Sequence, residues 1–164
     1  MPDASSLNGS RRQVVAALGA CWMLGNCFPG SQASSMTDLS SLLPADARVF
    51  AHQDESSLLF DQAVIRLKER DAAAGGKGAY SGQRLAAAAG VKDAEIVADL
   101  SRQLGSEWQR AAEVATGNAS MKIYLWEKAG AKPQRFYALI AYQRALKATD
   151  GTVYRPLQTM YPER

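Results

Sequence analysis

Residues 133–151 read PQRFYALIAYQRALKATDG, and the conformation of this stretch decides the fold class. Pro133 supplies a preset φ for the first turn of a helix, and Gly151 follows its last turn, an asymmetry typical of helices. Apolar and aromatic side chains between them cover well over half of the circumference of such a helix. The stretch therefore predicts a helix that is covered on more than one side, by the core or by a partner protein.

The same stretch also allows a strand, because its apolar residues alternate. The alternating positions, together with two from the preceding segment, are Phe136, Ala138, Ile140, Tyr142, Ile123 and Leu125. An alternative α+β fold places residues 121–129, 135–148 and 152–159 in a C-terminal antiparallel sheet. In that fold Asp150-Gly151 forms the turn between the last two strands.

Alanine, leucine and long polar residues dominate the rest of the chain, and such residues favour helices. A first helix is expected from Asp54 or Ser56, with Leu59, Ala63 and Leu67 on one face.

Ser81 is expected to cap a short helix over residues 82–89. Another helix begins at Asp93 and runs to Gly117, with a bend at Gly105. Residues 152–162 contain two prolines and are expected to form an extended arm. The predicted fold class is therefore mainly α, a small helical domain with an extended C-terminal arm.

Residues 1–33 have the pattern of an export signal. Arg11 and Arg12 precede an uncharged run over residues 14–28, and Ser31-Gln32-Ala33 offers a small-x-small cleavage site. The paired arginines resemble the twin-arginine signal of bacteria, which exports folded proteins. We therefore expect a signal peptide over 1–33, cleavage after Ala33 and a single domain over 34–164.

Two alternatives to this signal remain open. The paired arginines also occur by chance in ordinary Sec signals. Leu18-Gly19-Ala20-Cys21 fits a lipobox, and a lipid on Cys21 would tether the protein to a membrane.

Composition argues against several classes of chemistry. Both cysteines, Cys21 and Cys27, lie in the signal, and His52 is the sole histidine, so thiolate and histidine-cluster metal sites are not expected. The net charge is +3 and falls by one when Asp3 leaves with the two signal arginines, which is too little to indicate nucleic-acid binding. The carboxylates show no spacing that demands acid–base work, so we expect no cofactor, no metal and no catalytic residue in this chain.

Three segments resemble one known family. They are residues 37–43 (TDLSSLL), Ile123-Tyr124-Leu125-Trp126 with Gly130 after it, and Ala141-Tyr142-Gln143-Arg144-Ala145-Leu146, followed by the extended arm. With the export signal, this order is similar to the small subunit of membrane-bound FAD-dependent sugar and polyol dehydrogenases of the sorbitol, fructose and glucose dehydrogenase type.

The resemblance implies a helical, non-catalytic escort subunit. Such a subunit binds an FAD-bearing large subunit that lacks its own signal, and co-exports it to the periplasm. A haem-bearing membrane subunit then passes electrons to quinone, so this chain would be periplasmic and associated with the membrane through the complex.

The apolar surplus of the predicted terminal helix and the arm are expected to form the partner interface. Its residues would be Trp126, Tyr137, Tyr142, Leu146, Tyr154 and Tyr161. An alternative function is a free-standing periplasmic or lipid-anchored binding protein.

Overall fold

An antiparallel sheet of seven strands, with one helix against each face, organises the computed structural model, which describes residues 38–50 and 53–163. These residues belong to one compact unit, Met36–Arg164. The helices are α1 (Ser57–Ala73) and α2 (Asp93–Leu104), and a 3-10 turn occupies Leu39–Ser41. The strands are β1 (Ala47–Val49), β2 (Tyr80–Ala88), β3 (Trp108–Arg110), β4 (Met121–Lys128), β5 (Phe136–Tyr142), β6 (Leu146–Lys147) and β7 (Val153–Pro162).

The order of the strands across the sheet is β1-β2-β7-β5-β4-β3, and β6 pairs with the first residues of β7. The longest pairing runs from Tyr80 opposite Pro162 to Ala88 opposite Tyr154. The last strand in the sequence therefore lies between β2 and β5 in the middle of the sheet.

Each face of the sheet carries its own core. α1 contributes Phe60, Ala63 and Leu67 to a cluster with Met121, Ile123, Leu125, Phe136, Ala138, Ile140, Tyr142 and Met160. α2 contributes Ile96, Leu100 and Leu104 to a cluster on the opposite face with Leu42, Leu85, Ala87, Trp108, Tyr124, Trp126, Tyr137, Leu139, Ala141 and Leu157. The domain is thus a three-layer helix–sheet–helix sandwich.

The predicted mainly α fold class is wrong, since 35% of the described residues are in strands and 26% in helices. Residues 133–151 form no helix: β5 occupies Phe136–Tyr142, and β6 pairs with β7 across a turn at Asp150-Gly151. Every side chain of β5 is buried, because helices cover both faces of the sheet. A strand buried on both faces presents a continuous apolar run, which resembles a helix that is apolar all round.

The alternative α+β prediction, with an antiparallel sheet at the C-terminus, agrees with the structure in this part of the chain. β4 pairs with β5, and β5 pairs with β7, both antiparallel. The predicted arm over 152–162 is therefore the central strand β7.

The short helix predicted over residues 82–89 is also wrong, because Tyr80–Ala88 forms β2. Leu85, Ala86 and Ala87 are buried between β1 and β7. Tertiary packing here outweighs the helix propensity of an alanine-rich run, which is a weak preference.

Two helical predictions are confirmed in part. α1 places Ala63 and Leu67 in the core, as the apolar spacing predicts. α2 begins at Asp93 but ends at Leu104 rather than Gly117, because Gly105 has φ 74° and stops the helix. The chain then forms β3 at the edge of the sheet.

Candidate functional site

The side chains predicted to form a partner interface lie mostly inside the domain. Trp126, Tyr137, Tyr142 and Tyr154 are at most 5% exposed, and Leu146 and Tyr161 are partly buried. They belong to β4 and to the segment from β5 to β7, so the sheet turns them inward. The first four side chains are therefore not exposed to a partner in this fold.

The aromatic residues instead attach α2 to the sheet. Tyr137 makes edge-to-face contacts with Trp126 and Trp108, at ring-centroid distances of 5.8 and 6.4 Å. The Trp126 Nε1–H donates to the Ser101 hydroxyl on α2 over 2.9 Å. Burial raises the pKa of the Tyr137 phenol, and the neighbouring Thr159 hydroxyl lowers it in part.

The predicted export-signal residues, Arg11, Arg12 and Ala33, lie outside the described residues, as does His52.

A cluster of polar side chains gathers around Asp93 at the first turn of α2. Its carboxylate accepts the Tyr124 hydroxyl over 2.5 Å and the Gln143 amide over 3.2 Å. It also forms an ion pair with Arg155, and Lys122 lies 4.0 Å away. Three different parts of the sheet thus converge on one carboxylate at a helix N-terminus, where negative charge is favoured.

Arg155 completes this cluster from β7. Its Nε donates to the Tyr142 carbonyl over 2.9 Å, and a terminal nitrogen donates to the Val91 carbonyl over 2.8 Å. Burial lowers the pKa of Arg155. With its charge matched by Asp93 and two of its N–H donors bonded to backbone carbonyls, Arg155 joins α2 to the sheet.

Arg110 lies beside the cluster, against the rings of two residues of β4. Its guanidinium carbon is 4.9 Å from the ring centroids of both Tyr124 and Trp126, a cation–π geometry. It also donates to the Leu125 carbonyl over 3.0 Å. The guanidinium thereby packs against two rings of the α2 core at the β3 edge.

A second buried carboxylate closes the glycine-rich loop after α1. Asp71 accepts the Gly78 N–H over 2.7 Å and the Tyr80 hydroxyl over 2.8 Å. Burial and this hydrogen bond raise the pKa of Tyr80. Gly76 lies so close to the carboxylate that a Cβ there would overlap it. Asp71 therefore shapes the loop.

Within the described residues we find no group of three His, Cys, Asp or Glu side chains placed to hold a metal ion. No described helix is long and apolar enough to cross a membrane. A gap between α1 and the sheet, lined by Leu67, Tyr80, Phe136, Ala138 and Met160, has a volume of about 10 Å³. It has room for one water molecule at most.

The outer face of α1 is the apolar surface that the sequence reasoning missed. Leu58 is 68% exposed and Ile65 is 55% exposed, on the side of the helix opposite Phe60 and Leu67. They are seven residues apart, so they lie two turns apart along one line. Leu58 and Ile65 are spaced like residues of one helix face, and that face is not the one that carries the core residues. This pattern is the sequence signal that could have identified the surface.

Comparisons of this chain with protein-family models, with curated proteins and with solved structures find no match.

Proposed function

We propose that this protein is an exported, non-catalytic binding domain that holds a partner chain against the outer face of α1. The observation that carries the proposal is the alignment of Leu58 and Ile65 on a helix whose opposite face is already buried. Single exposed apolar side chains are common on protein surfaces. Two large ones aligned over two turns, however, form the kind of anchor that a helix presents to a partner.

The energetic advantage of covering this surface is appreciable. Burying a leucine or isoleucine side chain fully contributes roughly 1.5–3 kcal/mol, and more than half of each side chain is still exposed here. Covering both side chains supplies a useful part of the free energy of a reversible complex, before the cost of association is subtracted.

The charged residues flanking the two side chains suit a protein partner better than a lipid surface. Of the charged side chains exposed on α1, Asp61 and Glu69 are acidic and Arg66, Lys68 and Arg70 are basic, so the helix surface carries both signs of charge in similar number. A membrane-binding helix would carry an excess of lysine and arginine beside its apolar face.

The export part of the proposal rests on the sequence of residues 1–33, with Arg11-Arg12 ahead of an uncharged run. Export through the twin-arginine route or the Sec route places the domain in the periplasm, and a lipid on Cys21 would hold it at a membrane.

A more specific role, escort of an FAD-dependent sugar or polyol dehydrogenase, is supported by the paired arginines and by the sequence resemblance. One segment of that resemblance, residues 141–146, was expected to be helical, but it spans the end of β5 and the turn into β6. The test of this role is co-purification of the chain from its own cells with a yellow, FAD-containing subunit.

The binding proposal itself can be tested by photo-cross-linking in living cells. A photoreactive amino acid at position 65 of the full chain should give a discrete cross-linked product. The matched control is position 98, since Ala98 is exposed on the other helix, α2. Equal labelling at both positions, or none at position 65, would contradict the proposal.

A further inference from the structure

We infer that the partner on the outer face of α1 is a second copy of this chain, with the two α1 helices antiparallel. This inference rests on the proposed function and names its partner. Three exposed residues, Leu58, Ile65 and Ala72, define the contact line, and each is seven residues from the next.

An antiparallel arrangement with its two-fold axis at Ile65 makes this line self-complementary. Ile65 then meets Ile65 of the partner subunit, and Leu58 meets Ala72 of the partner subunit at both ends. Large side chains therefore face each other at the centre, while a large one faces a small one at each end. This alternation lets two helices approach closely.

The charges beside the line match the same arrangement. Asp61 and Lys68 lie on one side of it, and in an antiparallel pair each faces its opposite on the second copy. A parallel pair would instead set this side of the helix against the opposite side of its partner, so Asp61 would not meet Lys68. Asp61 is 3.5 Å from Arg84, yet its side chain stays 69% exposed, so it remains accessible to a second cation.

The contact is small. One stripe of a 17-residue helix buries less accessible surface than roughly 1,200 Å², the lower limit for a standard protein–protein interface. We therefore expect a reversible dimer that dissociates on dilution in the micromolar range.

Cysteine cross-linking distinguishes the possible geometries, in the full chain with Cys21→Ser and Cys27→Ser. Ile65→Cys should form a disulfide-linked dimer on mild oxidation. Leu58→Cys alone and Ala72→Cys alone should not, because two copies of either residue lie about 21 Å apart. A mixture of the Leu58→Cys and Ala72→Cys proteins should cross-link.

Charge reversal provides an independent measurement in the same full chain. Asp61→Lys or Lys68→Asp alone should weaken the dimer roughly tenfold in sedimentation experiments, and the double variant should recover most of that loss. The recovery would show that the two residues meet across the interface, because an effect on folding alone would not be reversed by the second change.

Other outcomes would overturn the inference. Efficient cross-linking of Leu58→Cys with itself would indicate a parallel pair. A monomer at all concentrations would exclude the dimer. If the photoreactive residue at position 65 then still gave a product with a different protein, the binding function would stand and only its partner would change.

Discussion

Arg155 in the middle of the sheet forms an ion pair with Asp93, the first residue of α2. The same carboxylate also binds Tyr124 of β4 and Gln143 beyond β5. Both members of the pair are largely buried, and their contact links the start of α2 to the sheet. The Asp93 carboxylate thus joins the start of a helix to residues 31 to 62 positions further along the chain.

Removing one member of this pair should cost more stability than removing both. Asp93→Asn leaves the Arg155 charge buried and uncompensated, and we expect the free energy of unfolding to fall by about 3 kcal/mol. Asp93→Asn combined with Arg155→Met removes both charges, so the double variant should lose less stability than Asp93→Asn alone. Urea denaturation measures the free energy of unfolding of Asp93→Asn, of Arg155→Met and of the double variant. Glu69→Gln, which removes an exposed charge on α1, is the control. Additive effects would contradict the pairing.

The loop after α1 should tolerate no side chain at position 76. A Cβ on Gly76 would overlap the Asp71 carboxylate, so Gly76→Ala should destabilise the domain by about 2 kcal/mol. Gly90→Ala is the matched control, because a Cβ there meets no atom within 4 Å. The melting temperature should fall for the first variant and stay nearly constant for the second. In an Asp71→Ala background the Gly76→Ala effect should shrink.

Alkaline pH should remove a contribution of Tyr154 to stability. Burial, with the hydrogen bond to Asp54, raises the pKa of Tyr154 from 10.0 to about 12. The folded state therefore holds this proton more tightly than the unfolded state. The resulting stabilisation is complete below pH 10 and is lost as the pH rises to about 12.

The variant Tyr154→Phe isolates this effect, because the other tyrosines titrate in both proteins. We expect the difference in free energy of unfolding between wild type and variant to shrink steadily from about pH 10 to about pH 12. Guanidinium denaturation at several pH values measures it. A difference that stays constant over this range would show that the Tyr154 pKa is not raised by folding.

The export signal should depend on arginine itself at both positions. Arg11→Lys with Arg12→Lys keeps the positive charge, so a Sec signal would still function, whereas a twin-arginine signal would fail. We expect the double variant to stay in the cytoplasm with its signal uncleaved, which cell fractionation and immunoblotting would show. Export of the variant would favour Sec, and loss of membrane retention in Cys21→Ser would favour the lipoprotein alternative.

The sequence by itself determined the features that depend on neighbours in the chain. The spacing of Ala63 and Leu67 identifies α1, and Asp93 marks the start of α2. Each of these rests on contacts within one or two helical turns.

Only the tertiary structure decided the fold class and the location of the aromatic residues. β5 and β2 are strands because α1 and α2 cover both faces of the sheet. The sequence of neither strand shows that distant helices will cover it. Trp126 and Tyr137 were predicted at an interface because an aromatic side chain suits a core and a partner surface equally. The choice between core and surface depends on segments far away in the sequence, since β7 and α2 close over these rings only when the whole chain has folded.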